Sequence, residues 1–309
     1  KRNNIHFGFL NVGHFFDHLF MLIFATVAAL ALATEWGLSY ADLIPYAMPG
    51  FVAFGVCAIP AGWIADRWHR HGMICIFFLG IGLASLLTSF ANSPLQIGCG
   101  LFVIGLFAAI YHPVGIAMVV EGRLKTGMPL AINGVFGNVG VAAAALITGV
   151  IIDAFGWRAA FIVPAVLSIG IGIAYLIFLR AGDITSLYPN EVSNASANSS
   201  LVQIDRNLLI HVFSIIFFTT ALGGLIFQST TFALPKIFDE RLNDFATNAT
   251  EVGAWAFVVF TLAAFAQLVV GYLVDRHSIK LVFSVIAAAQ VLLFASMINL
   301  DGIGALIIS

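Results

Sequence analysis

The chain has 309 residues, of which 61% are hydrophobic and only 9% are charged. Soluble domains carry a charge on about a quarter of their residues, so the composition excludes a soluble protein and indicates an integral membrane protein that contacts a lipid bilayer. The 13 basic and 15 acidic residues nearly cancel, which predicts no nucleic-acid partner.

Nine apolar segments are long enough to cross a bilayer, because a spanning helix needs about 20 residues. A tenth apolar segment begins near Ile303. The sequence therefore predicts an all-α integral membrane fold. The nine complete spans are expected at residues 5–33, 41–65, 72–91, 94–120, 127–153, 157–180, 207–235, 251–274 and 279–300.

A short polar segment between the second and third spans returns in weaker form between the eighth and ninth. In each copy a glycine lets neighbouring helices approach, and the aspartate at a helix end needs a cationic or hydrogen-bonding partner. The repeat predicts two related halves. The first copy contains Gly62, Asp66, Arg67 and Arg70, and the second copy contains Gly271, Asp275 and Arg276.

The first copy resembles the G-x-x-x-D-R-x-x-R loop between the second and third helices of the major facilitator superfamily. Gly156-Trp157-Arg158, at the start of the sixth span, is similar to the Gly-Trp-Arg of that family. The resemblance implies a secondary transporter built from two six-helix repeats, with both polar segments acting as conformational-switch loops.

Under this resemblance the chain is expected to be a fragment of a twelve-span protein that lacks the last three helices. The expected parts are a first repeat at 1–180, a cytoplasmic linker at 181–206 and an incomplete second repeat at 207–309. We expect the protein to act as a monomer. Ten of the 13 basic residues fall in segments on the same side as the N-terminus, which predicts a cytoplasmic N-terminus and a multi-pass protein of the inner (plasma) membrane.

The first span carries the most informative polar cluster, with Asn11, His14 and His18 on one helix face and Asp17 beside His14. Asp17 lies roughly 18 Å along the helix from the inner end, near the middle of the membrane. A carboxylate at that depth faces a cavity or a partner and marks an ion or substrate path. We predict that Asp17, helped by His14, is the site of proton coupling; the alternative is a neutral Asp17 that only holds helices together.

The fourth span contains Tyr111-His112-Pro113. Pro113 predicts a kink, because it removes one backbone hydrogen bond. His112 is the second candidate proton carrier. The Gly13-His14 pair, the acid that follows it and the aromatic-His-Pro triplet resemble the fosmidomycin-resistance branch of the superfamily.

Shifting Asp17 by the 209-residue repeat offset reaches Ile226, so the second half lacks the titratable face. The first half is therefore expected to handle protons and the second to help bind a small-molecule solute. The predicted substrate cavity is lined by Asn11, His18, Tyr111, Asn138, Gln228 and Thr231.

Proton-coupled transport, with efflux by antiport favoured, is the predicted function; an uncoupled facilitator, a proton symporter and a transport-dead sensor of the same fold stay open. A membrane enzyme with histidine boxes is the alternative from another class. Such boxes need many histidines on one membrane face, whereas the eight histidines here are scattered. The sequence predicts no enzyme, no metal site and no cofactor.

Overall fold

The computed structural model describes residues 2–183, 187, 205–241 and 249–298, with side chains except at 228–241, 249–253 and 256. All regular secondary structure within these ranges is helical, which confirms the all-α prediction. The helices are α1 (Arg2–Val27), α2 (Ala33–Trp36), α3 (Tyr40–Leu43), α4 (Met48–Arg67), α5 (Arg70–Thr88), α6 (Pro94–Ala108), α7 (Tyr111–Val120), α8 (Gly127–Phe155), α9 (Trp157–Arg180), α10 (Arg206–Arg241), α11 (Ala249–Val274) and α12 (Ile279–Met297).

Nine helical segments in the described ranges are long and apolar enough to cross a membrane, in the order that the sequence predicts. The first combines α1, a π-helical turn and α2, and the fourth combines α6 and α7. The tenth span and nearly all of the predicted linker lie outside the described residues. The nine segments are Arg2–Trp36, Tyr40–Arg67, Arg70–Thr88, Pro94–Val120, Gly127–Phe155, Trp157–Arg180, Arg206–Phe227, Phe257–Val274 and Ile279–Met297.

Several helix ends are defined by side-chain or glycine caps that the sequence encodes. The Asp42 amide donates to Ser39 Oγ, and the Ser39 amide donates to Asp42 Oδ2 at 3.1 Å, which forms a capping box at the start of α3. Ser93 caps α6. Gly156 joins α8 to α9 at a φ of +81°, a conformation that residues with a Cβ rarely adopt.

The fourth span is broken, as Pro113 predicts. The helix α6 ends at Ala108 and α7 begins at Tyr111. Pro113 has no amide hydrogen to give to the carbonyl of Ala109, four residues earlier, so the break falls on the N-terminal side of the proline. The side chains of Tyr111 and His112 therefore start a new helix.

The chain divides into two compact units. One comprises Lys1–Pro189 and Phe260–Val282, and the other comprises Asn190–Val259 and Phe283–Ser309. The first unit contains α1 to α9, and buried aromatic and aliphatic side chains fill its core. In the second, the apolar side chains of α10 from Leu208 to Phe227 are exposed. The division into two repeats joined by residues 181–206 stays a prediction.

Two glycines allow α4 and α6 to cross in backbone contact. A Cβ on Gly50 would lie 2.7 Å from the carbonyl oxygen of Leu101, and a Cβ on Gly105 would collide with the carbonyl oxygen of Gly50. Lipid provides no hydrophobic drive for helices to associate, so close backbone packing of this kind holds spans together. The crossing fixes the second span against the fourth, just before the break that leads to His112.

We expect Gly105→Ala to destabilise the first unit by about 1–3 kcal/mol, because its methyl group has backbone, not a movable side chain, in its path. The measurement is thermal unfolding of the detergent-solubilised protein. Gly55→Ala is the matched control: Gly55 lies in α4, is exposed and has nothing within 4 Å of the position of a Cβ. Equal melting temperatures for both variants and the parent would contradict the proposed crossing.

Candidate functional site

Asp17 lies in the middle of α1 and its side chain is 0% exposed. It is the only fully buried acidic residue among the described side chains. Its Oδ2 is 3.3 Å from His112 Nε2, and neither carboxylate oxygen has a hydrogen-bond partner in the described part of the chain. An ionised carboxylate without hydrogen bonds in a dry interior is strongly unfavourable. Asp17 therefore needs a positive charge beside it or a proton on it.

His14 is held by the fifth span. Its Nδ1 lies 2.8 Å from the backbone carbonyl oxygen of Asn133. A carbonyl oxygen only accepts, so Nδ1 carries the hydrogen and Nε2 of the neutral ring keeps its lone pair. His18 Nε2 lies 3.2 Å from this His14 Nε2. The lone pair of His14 thus points towards the second histidine of the same helix face.

Asn133 joins three spans through its side chain. Its Nδ2 donates to Asn11 Oδ1 at 3.0 Å and to the Tyr111 hydroxyl at 2.9 Å. The Tyr111 hydroxyl in turn donates to the carbonyl oxygen of Leu10 at 2.6 Å. All of these polar side chains are buried, and buried networks with satisfied partners hold their members rigidly. The network fixes α1, α7 and α8 around His14.

The three imidazoles of His14, His18 and His112 form one group, which we name the histidine cluster. Their ring centroids are 5.0 Å apart for His14 and His18, 5.2 Å for His14 and His112, and 5.5 Å for His18 and His112. The His112 side chain is 36% exposed. The cluster thus lies between the sealed Asp17 and a face of α7 that is open.

Glycines of the first and fifth spans make room for the cluster. A Cβ on Gly137 would lie 2.6 Å from His14 Nε2, and one on Gly140 would collide with the carbonyl oxygen of Phe15. A Cβ on Gly13 would lie 2.8 Å from the Tyr111 ring. The glycine face of the fifth span therefore contacts α1, and this contact brings the Asn133 carbonyl within reach of His14.

The first polar segment ends α4 with an ion-pair network. Arg70 donates to Asp66 at 2.8 Å and to Glu121 at 3.1 Å. The guanidinium of Arg67 lies over the Trp63 ring, 4.2 Å from its centroid. A Cβ on Gly62 would lie 3.2 Å from Pro113 Cβ, so this glycine lets α4 approach α7.

The second polar segment contacts the start of α8. Asp275 accepts hydrogen bonds from the amides of Gly127 and Met128, each at 2.9 Å. A Cβ on Gly271 would meet the carbonyl oxygen of Gly127 at 2.9 Å. The first amides of a helix lack partners within it and carry partial positive charge, so a carboxylate there is stabilised. Arg276 lies over the ring of Tyr272 and donates to its hydroxyl.

The predicted cavity residues have different surroundings. Asn11 and Tyr111 are buried in the network described above, and His18 belongs to the histidine cluster. Asn138 is partly exposed on α8. The side chains of Gln228 and Thr231 lie outside the described part.

Sequence reasoning missed Asn133, which is one helical turn before Gly137. The available signal was an amide inside an apolar span, on the same face as the small residues.

Three of the matched relatives are named as transporters. The chain is 26% identical to the 4-hydroxybenzoate transporter PcaK of Pseudomonas putida over 153 residues, which cover 49% of the chain and 34% of that protein. It is 29% identical over 175 residues to the putative niacin/nicotinamide transporter NiaP of Bacillus subtilis, covering 56% of the chain and 42% of the relative.

The probable sulfoacetate transporter SauU of Cupriavidus necator is 29% identical over 157 residues, which cover 50% of the chain and 36% of that protein. The chain thus matches less than half the length of each of these relatives. Their names agree with the expectation that the chain is not an enzyme. A family model described as the Major Facilitator Superfamily matches residues 10–309, and the chain therefore belongs to the Major Facilitator Superfamily.

Proposed function

We propose that the protein is a secondary active transporter that moves a small solute by alternating access and couples this movement to protons. The family supports transport in general. Asp17 supports the coupling, because it is a fully buried carboxylate with no hydrogen bond in the described chain and a single imidazole at 3.3 Å. The negative charge of Asp17 beside a neutral His112 is unfavourable in a dry core unless a proton is present. Binding and releasing a proton at this pair therefore changes the free energy of each conformation of the transporter.

His112 is the entrance for the proton in this proposal. Asp17 is sealed, whereas His112 is partly exposed and contacts Asp17 through Nε2. A proton taken up by His112 gives an imidazolium beside the carboxylate, and a further shift onto Asp17 gives a neutral pair. Histidine is suited to this transfer because its ordinary titration range includes physiological pH. The His14 ring packs against the His112 ring, with centroids 5.2 Å apart. The hydrogen bond of His14 to the Asn133 carbonyl holds it in that position.

We propose a small organic acid as the solute. Three relatives are named for 4-hydroxybenzoate, for niacin or nicotinamide, and for sulfoacetate. All of these except nicotinamide carry an acidic group. Proton symport suits such an anion, because the proton compensates its charge. Efflux by antiport, which the sequence favoured, would use the same Asp17–His112 pair, but proton and solute would bind in alternation. An uncoupled facilitator would not use the pair.

We also propose a cytoplasmic N-terminus in the plasma membrane, supported by the ten to three distribution of basic residues. The carboxylate of Asp275 on the amides of Gly127 and Met128 then lies at the cytoplasmic end and stabilises the conformation described here. Breaking and remaking that contact is the proposed switch. Asp66 has a weaker form of the same role, since it is 63% exposed and paired with Arg70.

We expect Asp17→Asn to abolish accumulation of solute driven by a pH gradient while downhill exchange continues. The amide keeps the size of the carboxylate but cannot carry the proton. The measurement uses full-length protein in liposomes, with pH gradients of both orientations and labelled 4-hydroxybenzoate and nicotinate as probes.

Asp153→Asn is the matched control for this experiment, because Asp153 is an exposed acid near the end of α8. If exchange and accumulation are lost together in Asp17→Asn, Asp17 binds the solute instead. Intact accumulation in this variant would refute proton coupling at Asp17.

We expect Asp275→Asn to weaken the contact with α8 by about 0.5–2 kcal/mol, because it removes a charge from a helix N-terminus. This corresponds to a shift of about 2- to 30-fold in the conformational equilibrium. Asp66→Asn should shift it less, since exposed ion pairs contribute about 0–1 kcal/mol. The conformational equilibrium is measured by the alkylation rate of Ala131→Cys, a substitution in α8. An equal or larger effect of Asp66→Asn would contradict the assignment of the stronger switch contact to Asp275.

The proposed orientation predicts opposite labelling of two exposed positions. In a background without Cys57, Cys75 and Cys99, Lys125→Cys should react with an impermeant maleimide only after the cells are opened. Leu95→Cys should react in intact cells. The reverse pattern would overturn the cytoplasmic N-terminus.

A further inference from the structure

We propose that the histidine cluster binds one divalent transition-metal ion, for which Zn²⁺ is the test ion. Nothing in the sequence pattern pointed to this site, because His112 lies 98 residues after His14 and 94 residues after His18. The break before α7 and the packing of α7 against α1 bring the third imidazole to the other two. The proposal stands on this geometry and does not depend on the function proposed above.

The spacing of the imidazoles fits a single ion. Three nitrogens that bind one tetrahedral ion at about 2.0–2.1 Å lie about 3.3–3.4 Å from one another. The Nε2 atoms of His14 and His18 are already 3.2 Å apart. One ring nitrogen of each of the three residues lies within 4.8 Å of the others, so side-chain shifts of up to about 1.5 Å bring all three to the spacing that one ion requires.

Contacts outside the cluster orient the rings as ligating histidines are usually oriented. A ligating histidine commonly donates its other ring N–H to a carboxylate or to a backbone carbonyl. His14 donates Nδ1–H to the Asn133 carbonyl, which leaves the Nε2 lone pair for an ion. His112 Nε2 lies 3.3 Å from Asp17 Oδ2, without the geometry of a hydrogen bond. Of the two contacts, the hydrogen bond of His14 is the one that fixes a ring.

The charge of the surroundings also favours a cation. Asp17 brings a carboxylate whose two oxygens have no hydrogen bond among the described residues, directly behind His112. A divalent ion on the imidazoles would compensate that charge at short range, as charges buried in proteins require. Imidazole ligands select zinc, copper, nickel or iron over magnesium and calcium, which prefer oxygen.

The chain leaves one side of the cluster uncovered. His112 is 36% exposed and His18 is partly exposed, so there is room for a fourth ligand to the ion, and the ion can exchange from that side.

The test is binding of Zn²⁺ to the purified, chelator-treated full chain, measured by calorimetry and by metal analysis after gel filtration. We expect one ion per chain, no binding of Mg²⁺, and at least a tenfold loss of affinity in His14→Gln and in His112→Gln. Co²⁺ provides a second measurement, because tetrahedral coordination gives a characteristic visible spectrum that these variants should lack.

His211→Ala is the matched control, because His211 is exposed on α10 and its hydrogen-bond partner among the described residues is the Asn207 carbonyl, one turn earlier. Gly137→Ala keeps all three histidines but pushes on the His14 ring, so it should weaken Zn²⁺ binding without removing a ligand. Melting curves establish that each variant is folded. Full Zn²⁺ affinity in folded His14→Gln and His112→Gln, or no stoichiometric binding to the parent, would overturn the site.

Discussion

The first unit is arranged around a carboxylate that has to be kept out of water without hydrogen bonds. Asp17 is fully buried, and the nearest compensating group is His112, on a different span. In an apolar core the free energy of such a pair depends on whether a proton or another cation is present. The break between α6 and α7 matters for this reason, since it places His112 against α1, where an unbroken helix would follow a different path.

Close backbone packing is what allows the polar groups to meet. Gly137 and Gly140 have no room for a side chain where α8 contacts α1. The helices therefore come near enough for a backbone carbonyl, that of Asn133, to accept from His14. A carbonyl acceptor decides which nitrogen of the ring keeps a lone pair. Glycine packing in the fifth span thus determines which ring nitrogen of His14, in the first span, keeps its lone pair.

The sequence predicted the spans well because each needs only a run of about 20 apolar residues. It also predicted the break at Pro113 and a position for Asp17 near the middle of the first span, which follow from local chemistry and from counting. The depth of Asp17 in the membrane stays a prediction. It expected His14 as the helper of Asp17, whereas the structure pairs Asp17 with His112. The choice depends on how two spans pack, and neither periodicity nor spacing within one helix contains that information. The same limit explains why Asn138 was chosen and Asn133 was missed.

The helix α8 carries two of the contacts that the proposed mechanism uses. The first amides of α8, at Gly127 and Met128, hold Asp275, and Asn133 of the same helix holds His14. The two points are six residues apart, about 9 Å along a rigid rod. Any displacement of α8 that breaks the Asp275 contact therefore also acts on the carbonyl that orients His14. Coupling of two sites needs an element that both sites bias, and α8 has the required contacts. In the proposed mechanism, a change in the charge around Asp17 can thus reach the second polar segment by motion of this helix alone, with no chain of side chains between them.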